Sequence, residues 1–98
     1  MEPEITDNPG RHRYELALAA ATAFVSYRRR PGVITFIHTE VPESLAGGGT
    51  GGRLARHVLD TARADGLKVA PDCPFIAAWM ERHPEYDDLR LPSPSPGV

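Results

Sequence analysis

One run, Leu45–Arg53, reads LAGGGTGGR and holds five of the chain's nine glycines. Neither a helix interior nor a strand interior tolerates so many residues without a Cβ, so the chain must change structure there. Upstream, apolar and polar residues alternate with the two-residue period of strands. Downstream, Leu54, Ala55, Val58, Leu59 and Ala62 recur at helical spacing, and Gly66 supplies a stop. The glycines thus join a strand to a helix. Bare backbone N–H groups can approach a ligand there, and the helix dipole favours an anion, with phosphate the obvious candidate.

Around this joint the pattern predicts six elements. His12–Leu18 alternates, with Tyr14, Leu16 and Leu18 on one side and Arg13 and Glu15 on the other. Ala21–Arg28 alternates again, and the short gap between the two runs implies an antiparallel hairpin. Arg29-Arg30-Pro31-Gly32 marks a turn into a third strand, Val33–Val41, rich in β-branched residues. Strict alternation there places Ile34, Phe36, His38 and Glu40 on one face, and Val33, Thr35, Ile37, Thr39 and Val41 on the other. After the helix, Leu67–Ala70 is a short apolar strand, and a strand–helix–strand crossover pairs its strands in parallel. The last helix starts with Pro74 at its first position and Cys73 as N-cap. It carries Phe75, Ile76, Trp79 and Met80 on one face and stops before Pro84.

The expected order is therefore β-β-β-α-β-α, an α/β (α+β) domain whose mixed sheet has antiparallel N-terminal strands and a parallel βαβ unit. Ninety-eight residues suffice for one core. We assign it to residues 11–91, with residues 1–10 and the Pro/Ser-rich tail 92–98 expected to be disordered.

Composition removes several function classes. A net charge of −2 lacks the positive field of a general nucleic-acid binder, so no nucleic-acid partner is expected. No stretch approaches the roughly 20 apolar residues that cross a bilayer, so no membrane partner is expected either. The single cysteine, Cys73, makes no intramolecular disulfide, and an unpaired thiol suits a reducing, cytoplasmic location. His12, His38, His57 and His83 lie scattered without a paired ligand spacing, so no metal is expected. The Arg28-Arg29-Arg30 run can meet a phosphate or an acidic partner, although such runs usually just face solvent.

Three phosphate loops compete for the glycine run. A Walker loop would follow Gly52 with Lys and then Ser or Thr, but Arg53 and Leu54 stand there. The dinucleotide pattern G-x-G-x-x-G matches Gly47, Gly49 and Gly52, with Asp72 near the ribose-ligand distance. It fails because the preceding strands read as hairpins and the chain ends before further parallel strands can form. The third is the pyrophosphate loop of acyl-coenzyme A transferases. His38-Thr39-Glu40-Val41-Pro42, the glycine loop, Lys68-Val69 followed by Pro71, Cys73-Pro74-Phe75 and His83-Pro84-Glu85-Tyr86 together span over half the chain. In these pieces the sequence resembles the short single-domain N-acetyltransferase-like family of the GNAT (acyl-CoA N-acyltransferase) superfamily.

That resemblance implies a trimmed acyl-CoA N-acyltransferase fold with acetyl-CoA held between splayed parallel strands and an amine as acceptor. It implies a pantetheine arm along the third strand beside Val41, and a pyrophosphate on Ala46, Gly47, Gly48, Gly49, Thr50, Gly51, Gly52 and Arg53. Against the superfamily pattern Q/R-x-x-G-x-G/A, Ala46 stands at the polar first position. Backbone donors survive this change while side-chain grip is lost.

Acetyl transfer needs a neutral amine, a polarised thioester carbonyl and a proton for the departing thiolate. Cys73 at a helix start is the first candidate, because the dipole favours thiolate; Asp72 beside it opposes that, and the alternative is a small buried hydrophobe. The resemblance also implies an active-site place for this cysteine, either as acetyl carrier or as proton donor. His38 and Glu40 suit deprotonation of an ammonium, directly or through water; otherwise they are a polar sheet margin. The expected activity is an acetyl-CoA-dependent N-acetyltransferase with an unidentified amine acceptor. The alternative is a noncatalytic module that binds a coenzyme A derivative or a protein partner. Neither end carries an assembly signal.

Overall fold

The computed structural model describes residues 5–17, 21–43 and 49–91. Five strands form one sheet in sequence order: β1 (Ile5–Asn8), β2 (Arg13–Ala17), β3 (Thr22–Arg30), β4 (Val33–Glu40) and β5 (Lys68–Pro71). The first four pair antiparallel, and β5 pairs with β4 in parallel across α1 (Thr50–Ala64). Helix α2 (Pro74–Arg82) and a 3-10 segment, Pro84–Leu89, follow β5. The expected mixed sheet and parallel βαβ unit are both present, with one strand added at the front.

Alternation decides which face carries the core. Tyr14 and Leu16 of β2, Ala23, Val25 and Tyr27 of β3, Ile34 and Phe36 of β4, and Val69 of β5 are all buried. They meet Leu54, Ala55, Val58, Leu59 and Ala62 of α1 and Ile76, Trp79 and Met80 of α2 in a single cluster. Both helices therefore cover one face of the sheet. The other face carries the alternate residues, among them Glu15, Phe24, Ser26, Arg28 and Thr35, none of them buried. At the β3–β4 turn, Gly32 adopts a φ of 76°, which a residue with a Cβ would occupy only under strain.

Strand β1 lies within the first ten residues, where the sequence pattern shows no element. Only Ile5 there is apolar, and it packs part-buried against the core. Polar contacts hold the rest: the buried Tyr27 hydroxyl donates to an Asp7 carboxylate oxygen, and the Asn8 amide donates to Glu15. A strand fastened by such partners leaves no apolar period to read.

The C-terminal segment is docked in a similar way. Tyr86 and Leu89 are buried, the Tyr86 hydroxyl donates to Asp60 of α1 at 2.7 Å, and Arg63 grips the Asp88 carboxylate at 2.7 and 3.0 Å. The Leu91 N–H then donates to the carbonyl of Val69, extending the sheet edge beyond β5. Among the described residues no helix is long and apolar enough to cross a membrane.

Burial raises the pKa of Tyr14, Tyr27 and Tyr86, with Asp7 adding to the effect at Tyr27 and Asp60 at Tyr86. A folded state that keeps these protons longer than the unfolded chain is stabilised fully below the ordinary tyrosine value of 10.0 and loses that contribution as pH rises through the folded values. Stability measured by urea unfolding should therefore fall above about pH 10. Tyr27→Phe should cost about 1–2 kcal/mol at neutral pH and flatten the alkaline slope; an unchanged slope would contradict this account.

Candidate active site

The ladder between β4 and β5 begins with Val33 opposite Lys68 and ends with Phe36 opposite Pro71. Beyond that point the Cys73 N–H donates to the Phe36 carbonyl at 2.8 Å, and the chain turns into α2. Strand β4 runs on to Glu40, paired on its other side with β3 alone. Two parallel strands that part in this way leave a crevice at their carboxyl ends, where ligands bind in open α/β sheets.

A bulge sits at the same place. Across from β4, Tyr27 pairs with Phe36 while its neighbour Ser26 pairs with His38, so Ile37 is an extra residue with no partner. The alternation reverses there. Thr39, opposite the buried Val25, turns to the core side, and its Oγ1 lies 3.2 Å from the sulfur of Cys73. His38 and Glu40 turn to solvent, with side chains 60% and 59% exposed and Nε2 to Oε1 at 3.8 Å. This corrects the strict alternation expected from the sequence: these two groups leave the face of Ile34 and Phe36. The structure brings them to each other and places Cys73 on the opposite side of the strand. The Phe24 ring meets His38 edge-on at 6.0 Å.

Both helices begin at this crevice. The first intrahelical bond of α1 runs from Arg53 N–H to the carbonyl of Gly49, the N-cap, whose φ of 78° requires a glycine. The amides of Gly51 and Gly52 precede that bond and have no acceptor within the helix. No acidic residue occupies this first turn, so nothing in it opposes an anion. The helix starts earlier than its apolar period suggests, and contact with α2 explains why. A Cβ on Gly51 would stand 2.7 Å from the Phe75 ring, and one on Gly52 3.6 Å from the Trp79 indole nitrogen. Glycine at position 51 lets the two helix starts sit side by side, whereas a Cβ at position 52 would make only ordinary contact.

The predicted residues fall as follows. Cys73 is the N-cap of α2, 2% exposed, its carbonyl accepting from Ala77 N–H. Val41 follows β4 and packs part-buried against the core. Gly49, Thr50, Gly51, Gly52 and Arg53 form the start of α1, with Thr50 buried. Ala46, Gly47 and Gly48 lie outside the described residues. Sequence reasoning places Thr39 and Phe75 within the family pieces but gives neither a site role, because the bulge selects one and helix contact the other. At the far end of α2, His83 acts structurally. Its ring stacks on Trp79 at 3.6 Å and its Nδ1 lies 2.7 Å from the Trp79 carbonyl oxygen.

Parted parallel strands, two adjoining helix starts and a buried cysteine beside them make a distinctive arrangement, and comparison with known proteins bears on the fold that carries it. A search of curated proteins finds no match. An NMR solution structure of a GCN5-like protein from Staphylococcus aureus superposes with a TM-score of 0.74 at 26% identity, covering 98% of this chain and 95% of that one. The family model described as GCN5-related N-acetyl-transferase matches residues 13–89, from the start of β2 to the end of the last 3-10 turn. The chain therefore belongs to the GCN5-related N-acetyltransferase family.

Proposed function

We infer that the protein transfers an acetyl group from acetyl-CoA to an amine. The observation that carries this reading is the crevice between β4 and β5, onto which both helix N-termini open. Its donor set fits the cofactor: backbone amides without side chains, two helix dipoles and Arg53 suit a pyrophosphate, and the unpaired edge of β4 toward Val41 suits an amide-bearing pantetheine arm. Ala46, Gly47 and Gly48, which precede α1 in the sequence, are assigned to the same pyrophosphate in this reading.

Bound acetyl-CoA supplies the acetyl group as a thioester, and the sulfur it releases needs a proton. Cys73, held by Thr39 at the start of α2, is the group we assign next to that sulfur, as proton donor or as acetyl carrier. Backbone N–H groups near Val41 serve to polarise the thioester carbonyl. On the solvent side of β4, His38 and Glu40 accept the ammonium proton of the incoming amine through water. Burial of Cys73 favours a second reading, a noncatalytic module for a coenzyme A derivative, in which the thiol only packs.

Calorimetric titration with acetyl-CoA and with free coenzyme A should show binding of both; no heat with either removes the transferase reading. Mass spectrometry after incubation with acetyl-CoA should show an acetyl adduct in the wild type and none in Cys73→Ala if the thiol carries the group. Amine acetylation unchanged by Cys73→Ala would rule out an essential thiol. A burial this deep also predicts that Cys73 reacts with a thiol reagent at least about tenfold more slowly in the folded protein than in denaturant. Equal rates would show a thiol open to solvent.

A further inference from the structure

We propose that the acceptor site lies on the helix-free face of the sheet, in a shallow cavity lined by Arg28, Arg30, Thr35, Ile37 and Asp72, and that it takes a small amine bearing a carboxylate or phosphate. The proposal rests on the acetyltransferase reading and adds the class of acceptor to it.

Register puts these residues together. Arg28 pairs with Thr35 across β3 and β4, Arg30 follows two residues on along the same face, and Thr35 pairs with Ala70 of β5 on its other side. Arg29, between the two cavity arginines, points to the helix face and pairs with Asp65. The run of three arginines is thus divided by the pleat: one ties the sheet to the end of α1, and two are left facing the cavity.

The cavity stands behind the crevice. Ile37 is the bulged residue at which β4 turns away from β5, and Asp72 directly precedes Cys73. A molecule held between Ile37 and Asp72 therefore reaches the parting of the strands from the side opposite the helices. His38 and Glu40 open onto the same face. An amine bound here lies on the face that carries the groups assigned to take its proton, while the thiol sits beside Thr39 on the other side of β4.

Charge selects the ligand. Among the described residues Arg28, Arg30 and Asp72 make no ion pair, whereas Arg13, Arg29 and Arg63 each have a carboxylate partner. Two free guanidinium groups beside one free carboxylate match a molecule with an ammonium at one end and an anion at the other. The ammonium lies against Asp72, next to Cys73, and the carboxylate or phosphate lies against the arginines, with the Thr35 hydroxyl as a further donor. A volume of about 400 Å³ suits a metabolite-sized ligand. A second cavity of about 340 Å³ shares Arg28 and Ile37 and adds Arg11 and Ser26, the register partner of His38, so the positive surface continues along this face beside that group.

Titration of the isotopically labelled full chain with glutamate, O-phosphoethanolamine and ethanolamine, followed by amide shifts without cofactor, tests this. Glutamate or O-phosphoethanolamine should move the amides of Thr35, Ile37 and Asp72 saturably, whereas ethanolamine, lacking the anion, should not at equal concentration. The double variant Arg28→Ala, Arg30→Ala should weaken the bound anionic amine by about tenfold or more while leaving coenzyme A binding by calorimetry unchanged. No shift at these amides with either anionic amine, an equal response to ethanolamine, or full affinity in the double variant would overturn the proposal. Preferential acetylation of a lysine peptide without an acidic group would do the same. Absence of coenzyme A binding in the wild type would strike the transferase reading instead, independently of the amine titration.

Discussion

Four residue pairs hold β4 to β5, and the site exists because the pairing stops there. Up to Phe36 and Pro71 the strands are an ordinary parallel pair, tied by the α1 crossover. Past that point the Cys73 amide donates to the Phe36 carbonyl, Ile37 is thrown out of register, and β4 continues with one edge unpaired among the described residues. A parallel pair brings the helix after each strand to the same edge of the sheet, so the parting of the strands and the two helix N-termini coincide. The short ladder therefore supplies shape, exposed backbone and favourable field at one place.

Packing on a single face of the sheet separates two kinds of chemistry. On the helix side, Thr39 and Cys73 sit in an apolar setting among Phe36, Ile76 and the start of α2. On the solvent side stand His38, Glu40, Asp72 and the unpaired arginines. The bulge at Ile37 is the hinge between these environments, because it decides which of two neighbouring residues, His38 or Thr39, faces the sulfur. A clasp between the last segment and α1 closes the far end of the fold. Tyr86 and Leu89 anchor the last segment by burial, and the exposed Arg63–Asp88 pair, worth little alone, orients it across α1.

Much of this was legible from local pattern. Period-two runs around Tyr14, Val25 and Ile34 mark strands, and the spacing from Leu54 to Ala62 marks a helix, because in each case one face is buried. Pro74 and the N-cap Cys73 mark the start of α2 by backbone chemistry alone. Strand β1 was not legible, since its attachments are the Tyr27 hydroxyl and a neighbouring strand. Nor was the true start of α1, where Gly51, which disfavours helix in isolation, is accepted for the close approach of the Phe75 ring. The residues TFIHTE show no break in their β-branched pattern, although the face assignment changes in their midst.

The linear chain thus carries the kinds of element, their order, and which residue types reach the carboxyl edge of the parallel strands: glycines, a cysteine, a histidine, a glutamate. Those properties follow from periodicity and backbone preference, which act over a few residues. Which of those groups share a side is settled by pairing between strands distant in sequence. One unpaired residue shifts every later side chain to the opposite face, and its position is set where the antiparallel register with β3 breaks, just past the last pair with β5 on the other edge of β4.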